Sequence, residues 1–117
     1  MPPDADERGG EVIKGTLELL ILRTLQLGPM HGWGITEMIE RRSSDLLSIN
    51  QGSLYPALYR LVHQRKLRSY WQQTENNRRA RYYALTPAGR AQLAEERARW
   101  LRLARGVNLV LSPEEGT

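Results

Sequence analysis

The chain contains no cysteine, which excludes disulfides, thiolate metal ligands and a cysteine nucleophile. Its only two histidines are His31 and His63, and no carboxylate pair accompanies either of them, so we predict no metal and no cofactor. No apolar run reaches the length of a membrane span. Residues 1–10 lack the basic-then-apolar order of a signal peptide, and we expect a disordered N-terminal arm on a cytoplasmic protein.

The charge of the chain is distributed unevenly. A length of 117 residues fits a single domain. Between Arg60 and Arg105 there are 12 basic residues and three glutamates, a net charge of +9, whereas the remainder has five basic and ten acidic residues, a net charge of −5. Of the 17 basic residues 15 are arginine, which suits contacts with phosphate and guanine, although a GC-rich genome would also favour arginine. The asymmetry itself predicts a polyanionic partner on one side of the molecule.

A helix is predicted from Ser53 to about Gln64. Its apolar residues Leu54, Leu58, Leu61 and Val62 recur at helical spacing and form one stripe. Ser53 is predicted to cap the helix, with Pro56 in the first turn. The opposite face is small and polar, carrying Gly52, Ser53, Pro56, Tyr59, Arg60 and His63. Such a face could enter a DNA major groove; the alternative is an ordinary amphipathic helix whose Arg60 is merely solvated.

Two helices are predicted before it. The first, from Glu11 to Leu27, is apolar almost all round, so it must be covered on more than one side, in part by another subunit. The second opens at His31 and runs to about Arg42, with Trp33, Ile35, Met38 and Ile39 on its buried side. Two helices, a short connection and a third helix are typical of a helix-turn-helix.

Two aromatic segments with alternating polarity, Leu67–Gln73 and Arg81–Leu85, predict a β-hairpin after the third helix. Trp71, Tyr83 and Leu85 are expected to face the helices. The tip then carries Asn76, Asn77, Arg78 and Arg79, and such a hairpin beside a helix-turn-helix is a wing. We expect its arginines to reach phosphates or a minor groove, with a solvated surface turn as the alternative.

A last helix is predicted to begin at Thr86-Pro87 and to reach about Val110. Its apolar stripe of Trp100, Ala104, Val107 and Leu111 passes Gly106 without a break. The stripe predicts that this helix packs against the same helix, or against the first helix, of a twofold-related subunit, and the alternative is packing back onto its own domain. The predicted dimer surface comprises Leu19, Leu22, Leu93, Trp100, Ala104, Val107 and Leu111.

The predicted fold is therefore mainly α with a small β-hairpin: a winged helix-turn-helix plus a C-terminal dimerisation helix. The winged domain is assigned to residues 11–85 and the dimerisation helix to residues 86–111. Residues 112–117 are expected to form a loose tail.

Three segments occur in a recognisable order: Gly28–Trp33, Gly52–Leu61, and Tyr82–Gly89 followed by Leu93. Together they resemble the PadR family of bacterial transcriptional regulators, over roughly Gly15 to Leu111. The combination of Ser53-Leu54-Tyr55-Pro56 with the aromatic strand and Leu85-Thr86 is quite specific. The wing tip at residues 75–80 resembles that of a subset of small PadR-like proteins, many of them from Acidobacteria.

The resemblance implies a dimeric winged-helix repressor that binds an inverted-repeat operator, with Gln51, Ser53 and Tyr55 near the DNA. Some relatives bind aromatic drugs or phenolic acids at the dimer centre, so a small aromatic effector is a candidate ligand of Trp100, with dimer packing as the alternative role. The chain departs from the family pattern in two places. Its wing lacks the Gly-Arg-Pro of many relatives, and Trp33 stands where tyrosine is usual, a change that we expect to be structural.

Sequence-specific DNA binding is the function that we predict. Arg60, Arg78, Arg79 and Arg81 would contact phosphates, while Gln51 and Ser53 would contact bases. The other predicted DNA-binding residues are Tyr55, Tyr59 and Asn77. The alternative is a winged-helix module that binds a protein partner through the same basic face. An enzyme is not predicted, because Ser53 has no histidine or lysine at a useful spacing and the acidic residues are scattered.

Overall fold

In the computed structural model, which describes residues 10–11 and 14–114, four helices and five strands follow one another along the chain. The helices are α1 (Lys14–Gln26), α2 (Gly32–Arg42), α3 (Gln51–His63) and α4 (Pro87–Leu111). The strands are β1 (Gly10–Glu11), β2 (Met30–His31), β3 (Leu47–Ser48), β4 (Leu67–Gln73) and β5 (Arg79–Leu85). The predicted order of three helices, a hairpin and a last helix is confirmed.

The two predicted terminal segments are described only in part. Of the predicted N-terminal arm, residues 1–9 lie outside the described residues, and β1 pairs in parallel with β3. Of the predicted tail, residues 112–114 follow α4 without regular structure, and residues 115–117 lie outside the described part. None of the described helices is both long and apolar enough to cross a bilayer.

The hydrophobic core lies around α1, which contacts α2, α3, α4 and β5. The largest fully buried side chains are Ile21, Leu22, Ile35, Leu54, Leu58, Leu61 and Leu67. Burial of each such side chain contributes about 1.5–3 kcal/mol. Because its own chain covers α1 on several sides, the assignment of Leu22 to a dimer surface is wrong. Leu93 is wrong for the same reason, since it is 3% exposed and belongs to this core. Leu19 lies half-buried at the edge of the core.

Helix α2 is capped by a histidine. The backbone N–H of Gly34 donates to Nδ1 of His31 at 3.0 Å, so His31 precedes the first turn. Ile35 and Ile39 are buried as predicted, whereas Trp33 is 59% exposed and its predicted burial is wrong. Two residues along a helix correspond to about 200° of rotation, which places Trp33 on the side opposite Ile35.

Helix α3 begins two residues earlier than predicted. Asn50 is its N-cap, because the Asn50 side chain accepts from the Gly52 N–H at 2.7 Å, and Ser53 is already inside the helix. Pro56 consequently lies in the second turn, where it cannot donate the usual hydrogen bond to the carbonyl of Gly52. The exposed start of α3 leaves that carbonyl accessible to water.

Strands β4 and β5 form an antiparallel hairpin whose register pairs Leu67 with Leu85 and Gln73 with Arg79. Strand β2 extends it to three strands by pairing with Tyr82 and Tyr83. Strand β5 starts two residues earlier than predicted, so Arg79 lies in the strand and not at the tip. Tyr83 is buried as predicted, but Trp71 is 54% exposed, because it lies on the tip side of the buried Leu67 and Tyr83.

Helix α4 runs unbroken through Gly106 to Leu111, and its predicted length is confirmed. The hydroxyl of Thr86 accepts from the Gly89 N–H at 3.0 Å, and Pro87 is the first helical residue. The single proton of the same hydroxyl is shared between the carbonyl oxygens of Arg65, at 2.8 Å, and Lys66, at 2.9 Å. The start of α4 is thereby joined to the segment between α3 and β4. The far half of α4 extends from the body, and the described chain measures 60 × 35 × 21 Å.

Candidate nucleic-acid interface

The N-terminal half of α3 presents an exposed polar and aromatic surface. Gln51 and Ser53 are exposed, Tyr55 is 48% exposed and Tyr59 is 69% exposed. The opposite side of the helix is anchored in the core through Leu54, Ala57, Leu58 and Leu61. This division follows directly from the apolar stripe, and it places these four of the five predicted contact residues of α3 on accessible surface.

Gln51 is oriented by α2. Its Nε2 donates to Oγ1 of Thr36 at 2.8 Å, and Thr36 is only 4% exposed. With one amide proton used in this bond, the Oε1 atom and the second amide proton remain available. An acceptor beside a donor matches the major-groove edge of adenine.

Tyr55 packs against the start of α2, where the missing side chain of Gly32 leaves room for its ring. A Cβ added to Gly32 would lie 2.5 Å from the hydroxyl oxygen of Tyr55, well inside van der Waals contact. At Gly34, two residues further on, the nearest atom to an added Cβ is 3.5 Å away. The absent side chain of Gly32 therefore determines where the Tyr55 ring stands.

The wing tip is a tight turn. Asn77 has a left-handed backbone with φ of 63°, which asparagine tolerates better than most residues. The Thr74 N–H donates to the Arg78 carbonyl at 2.6 Å, and the Gln73 side chain donates to that of Asn77. Asn77 therefore shapes the tip, while the side chain of Arg78 is exposed there.

Behind the tip, two arginines of β5 share one tryptophan of β4. The guanidinium carbons of Arg79 and Arg81 lie 5.3 and 5.6 Å from the ring centroid of Trp71. Arg81 also donates to Oγ of Ser69, from Nε at 3.2 Å and from Nη2 at 3.0 Å. Within the described residues neither arginine forms an ion pair with a carboxylate.

A groove of about 600 Å³ separates the wing from the start of α2 and from Tyr55. Its lining includes Trp33, Glu37, Tyr55, Glu75, Arg78, Arg79 and Arg81. The arginines outnumber the glutamates, so the groove is basic on its wing side. Burial raises the pKa of the nearby Tyr83 above its usual 10.0, against the opposing effect of Arg81.

Arg60 does not belong to this surface. It lies in the last turn of α3 and forms an ion pair with Glu18 of α1, with an Nη2–Oε2 distance of 3.0 Å. Its charge is therefore compensated within the chain, which favours the arginines of the wing for the predicted phosphate contacts, and the contact predicted for Arg60 itself stays a prediction. The other predicted DNA-binding residues lie on α3 or on the wing.

A second surface lies at the far half of α4. Trp100, Leu103, Val107 and Leu111 are exposed there, and Ala104 is half-buried. A groove of about 450 Å³ beside Trp100 is also lined by Gly15, Thr16, Glu18, Leu19, Glu96, Arg99 and Leu103. Among the described residues no three histidine or acidic side chains are clustered as metal ligands would be.

Sequence reasoning missed Thr36, Ser69 and the exposure of Trp33 and Trp71. Thr36 and Ser69 act through partners that are 15 and 12 residues away along the chain. The signal for Trp33 was available, because its helical position opposes Ile35. Trp71 could have been assigned to the tip side from its place beyond Ser69 in β4.

The fold and the basic wing define the class: a winged helix-turn-helix protein. The family model described as the transcriptional regulator PadR-like family matches residues 21–95, which include α3 and the whole wing. The chain therefore belongs to the PadR-like family, whose members are DNA-binding transcriptional regulators.

Individual relatives agree with this assignment. The chain is 35% identical over 97 residues to the transcriptional regulator Rv3488 of Mycobacterium tuberculosis, covering 83% of this chain and 87% of that protein. A transcriptional regulator structure from Clostridium thermocellum gives a TM-score of 0.77 at 27% identity, covering 86% of this chain and 97% of that one. A PadR family regulator from Eggerthella lenta gives a TM-score of 0.71 at 30% identity, covering 86% of both chains.

Proposed function

We propose that this regulator is a homodimeric repressor that binds an inverted-repeat operator. Each protomer would insert the N-terminal half of α3 into a major groove and rest its wing on the adjacent backbone. The observation that carries the proposal is that the exposed start of α3, with Gln51 and Ser53, also holds Tyr55, which lines a groove whose wing side has three arginines. Polar side chains such as those of Gln51 and Ser53 form hydrogen bonds with base edges, and arginines without carboxylate partners neutralise phosphates.

The proposed dimer forms through the exposed stripe of α4. Trp100, Leu103, Val107 and Leu111 follow one another at helical spacing, and a contiguous apolar face on a projecting helix favours association. A twofold dimer would place two copies of α3 on one side of the duplex, with half-sites about one helical turn apart or a multiple of it. In this arrangement Trp100 packs in the dimer, and an aromatic effector would bind in the groove beside it.

Selection of bound duplexes from a random pool, at two salt concentrations, tests the proposal. We expect a palindromic consensus whose affinity falls steeply as salt rises, since arginine–phosphate contacts release counterions. The double variant Arg78→Ala with Arg79→Ala should weaken binding to all duplexes and lower the salt slope by up to about 2.

Enrichment of no duplex over the starting pool would refute sequence-specific binding and favour the protein-interaction alternative. The repressor role rests on family analogy. A reporter gene whose promoter overlaps the selected operator tests this role. Increased expression in the presence of the protein would show an activator and contradict repression.

A further inference from the structure

We propose that Trp71 is a positioning residue that holds Arg79 and Arg81 in place for a DNA phosphate. This inference rests on the proposed DNA-binding function and adds a residue to it. Trp71 lies on β4 directly opposite Arg81, and Arg79 lies diagonally across from it. Both guanidinium groups are within 6 Å of its ring centroid, the range of a cation–π interaction.

The arrangement is unusual in charge. Two arginines two residues apart on one strand point to the same face and repel one another. No carboxylate in the described part of the chain pairs with either, and the shared ring offsets part of the repulsion. A phosphate group would complete this compensation with a negative charge.

The two arginines are also constrained to different extents. Arg81 is held by the ring and by two hydrogen bonds to Ser69, whereas the ring is the only described partner of the Arg79 side chain. An arginine loses several free rotations when it binds a phosphate, and a ring that already holds it lowers that cost. Trp71 thereby raises affinity without touching the DNA.

The exposure of Trp71 agrees with this role. The Trp71 indole is 54% exposed, so it contributes little to the stability of the core. Exposing a large apolar ring to water is unfavourable, so core packing does not explain a tryptophan at this position. Both arginines line the groove that faces α2 and Tyr55, whereas Trp71 does not. Trp71 lies beside them on β4, the outer strand of the three-stranded sheet.

A double-mutant cycle tests the coupling. Trp71→Leu should weaken binding to the selected operator about fivefold in the wild-type background, from the loss of exposed cation–π contacts. In the background of Arg79→Ala with Arg81→Ala, the same substitution should change affinity less than about twofold, because nothing remains to be positioned. Trp71→Phe keeps a ring and should restore most of the wild-type affinity and salt slope.

Tyr70→Leu is the matched control. Tyr70 precedes Trp71 on β4 but stacks on Tyr82 on the other face of the wing, so it should show no coupling to Arg79 and Arg81. In the free protein, ring-current shifts of the Arg79 and Arg81 side-chain protons, lost in Trp71→Leu, provide a DNA-independent readout. If Trp71→Leu does not melt cooperatively, Trp71→Phe serves as the reference and Trp71→His takes the place of Trp71→Leu in the cycle.

Equal losses from Trp71→Leu in both backgrounds, or no loss in either, would overturn the positioning role while leaving the DNA-binding function intact. Absence of duplex binding by the wild-type protein would overturn both. Normal binding together with unshifted arginine protons would also refute the proposal, because the stack would then be absent in solution.

Discussion

At the scale of single residues, the candidate interface depends on groups that position its proposed contact residues. Gly32, Thr36 and Ser69 contribute a missing side chain, a buried hydroxyl and an exposed hydroxyl. Each positions a larger side chain on a neighbouring element. Substitution of these residues should change operator affinity more than the free energy of unfolding, which distinguishes a positioning role from a packing role.

Gly32→Ala should displace Tyr55, because the new methyl group and the phenol cannot both occupy the same space. We expect operator affinity to fall about tenfold, while the free energy of unfolding changes by less than about 1 kcal/mol, since the half-exposed ring can move away. Gly34→Ala is the control in the same helical turn, where the added Cβ meets only ordinary contacts. Equal affinity losses in the two variants, measured by fluorescence anisotropy, would refute the steric explanation.

Thr36→Val should free the Gln51 amide without removing volume from the core. We expect an adenine at one position of each half-site, read by Gln51, and discrimination at that position should fall threefold to tenfold, on the order of one hydrogen bond. Competition with base-substituted operators measures it. Thr24→Val is the control, because Thr24 is equally buried but donates to the Leu20 carbonyl within α1. If the base pair whose discrimination is lost in Gln51→Ala has a guanine at that position, the proposed recognition of adenine by the Gln51 amide is contradicted.

At the scale of elements, periodicity predicted the body of each helix and strand, but local hydrogen bonding set the ends. The apolar stripe located α3 correctly, yet two side chains competed to cap it, and Asn50 rather than Ser53 forms the cap. The alternation of β4 was read correctly, whereas β5 gained Arg79 through pairing with Gln73. Pairing of Arg60 with Glu18 depends on how distant elements meet, which a single sequence does not specify.

Substitution of the two glycines of α4 by alanine should change the free energy of unfolding in opposite directions. An added Cβ at Gly89 would collide with the Lys66 backbone carbonyl, which cannot move because Thr86 is bonded to it. Gly89→Ala should therefore lower the free energy of unfolding by about 1–3 kcal/mol. At Gly106 an added Cβ meets no atom within 4 Å, so Gly106→Ala should raise it by about 0.5–1 kcal/mol.

Urea titration measures both effects as shifts of the midpoint at constant slope. A neutral Gly89→Ala would mean that the junction of α4 with the α3–β4 segment is looser than its hydrogen bonds indicate. Destabilisation by Gly106→Ala would mean instead that another surface approaches α4 closely at that point.

At the scale of the whole molecule, the apolar stripe of α4 is the feature that requires a partner. Val107→Glu should convert the proposed dimer into a monomer, because it places a charge at the middle of the stripe. Leu109→Glu should leave the dimer intact, since Leu109 is 68% exposed and lies about 200° away around the helix. Sedimentation velocity separates the two outcomes.

Loss of the dimer should also weaken operator binding by about a hundredfold or more while sparing binding to a single half-site, because two linked sites bind with a high effective concentration. Dissociation by Leu109→Glu and not by Val107→Glu would place the dimer surface on the other side of α4. A dimer resistant to both would move it away from this helix altogether.

The hydrogen bonds of Thr86 to Arg65 and Lys66 have a mechanical consequence. They clamp one end of a helix of 25 residues, about 37 Å in length, to the segment that directly follows α3. A rotation of only about 5° at this clamp would move the distal tip by about 3 Å, nearly the rise of one base pair. In a symmetric dimer, α4 would then act as a lever that sets the distance between the two copies of α3. The range of half-site spacings that the dimer tolerates in the operator would report how stiff that lever is.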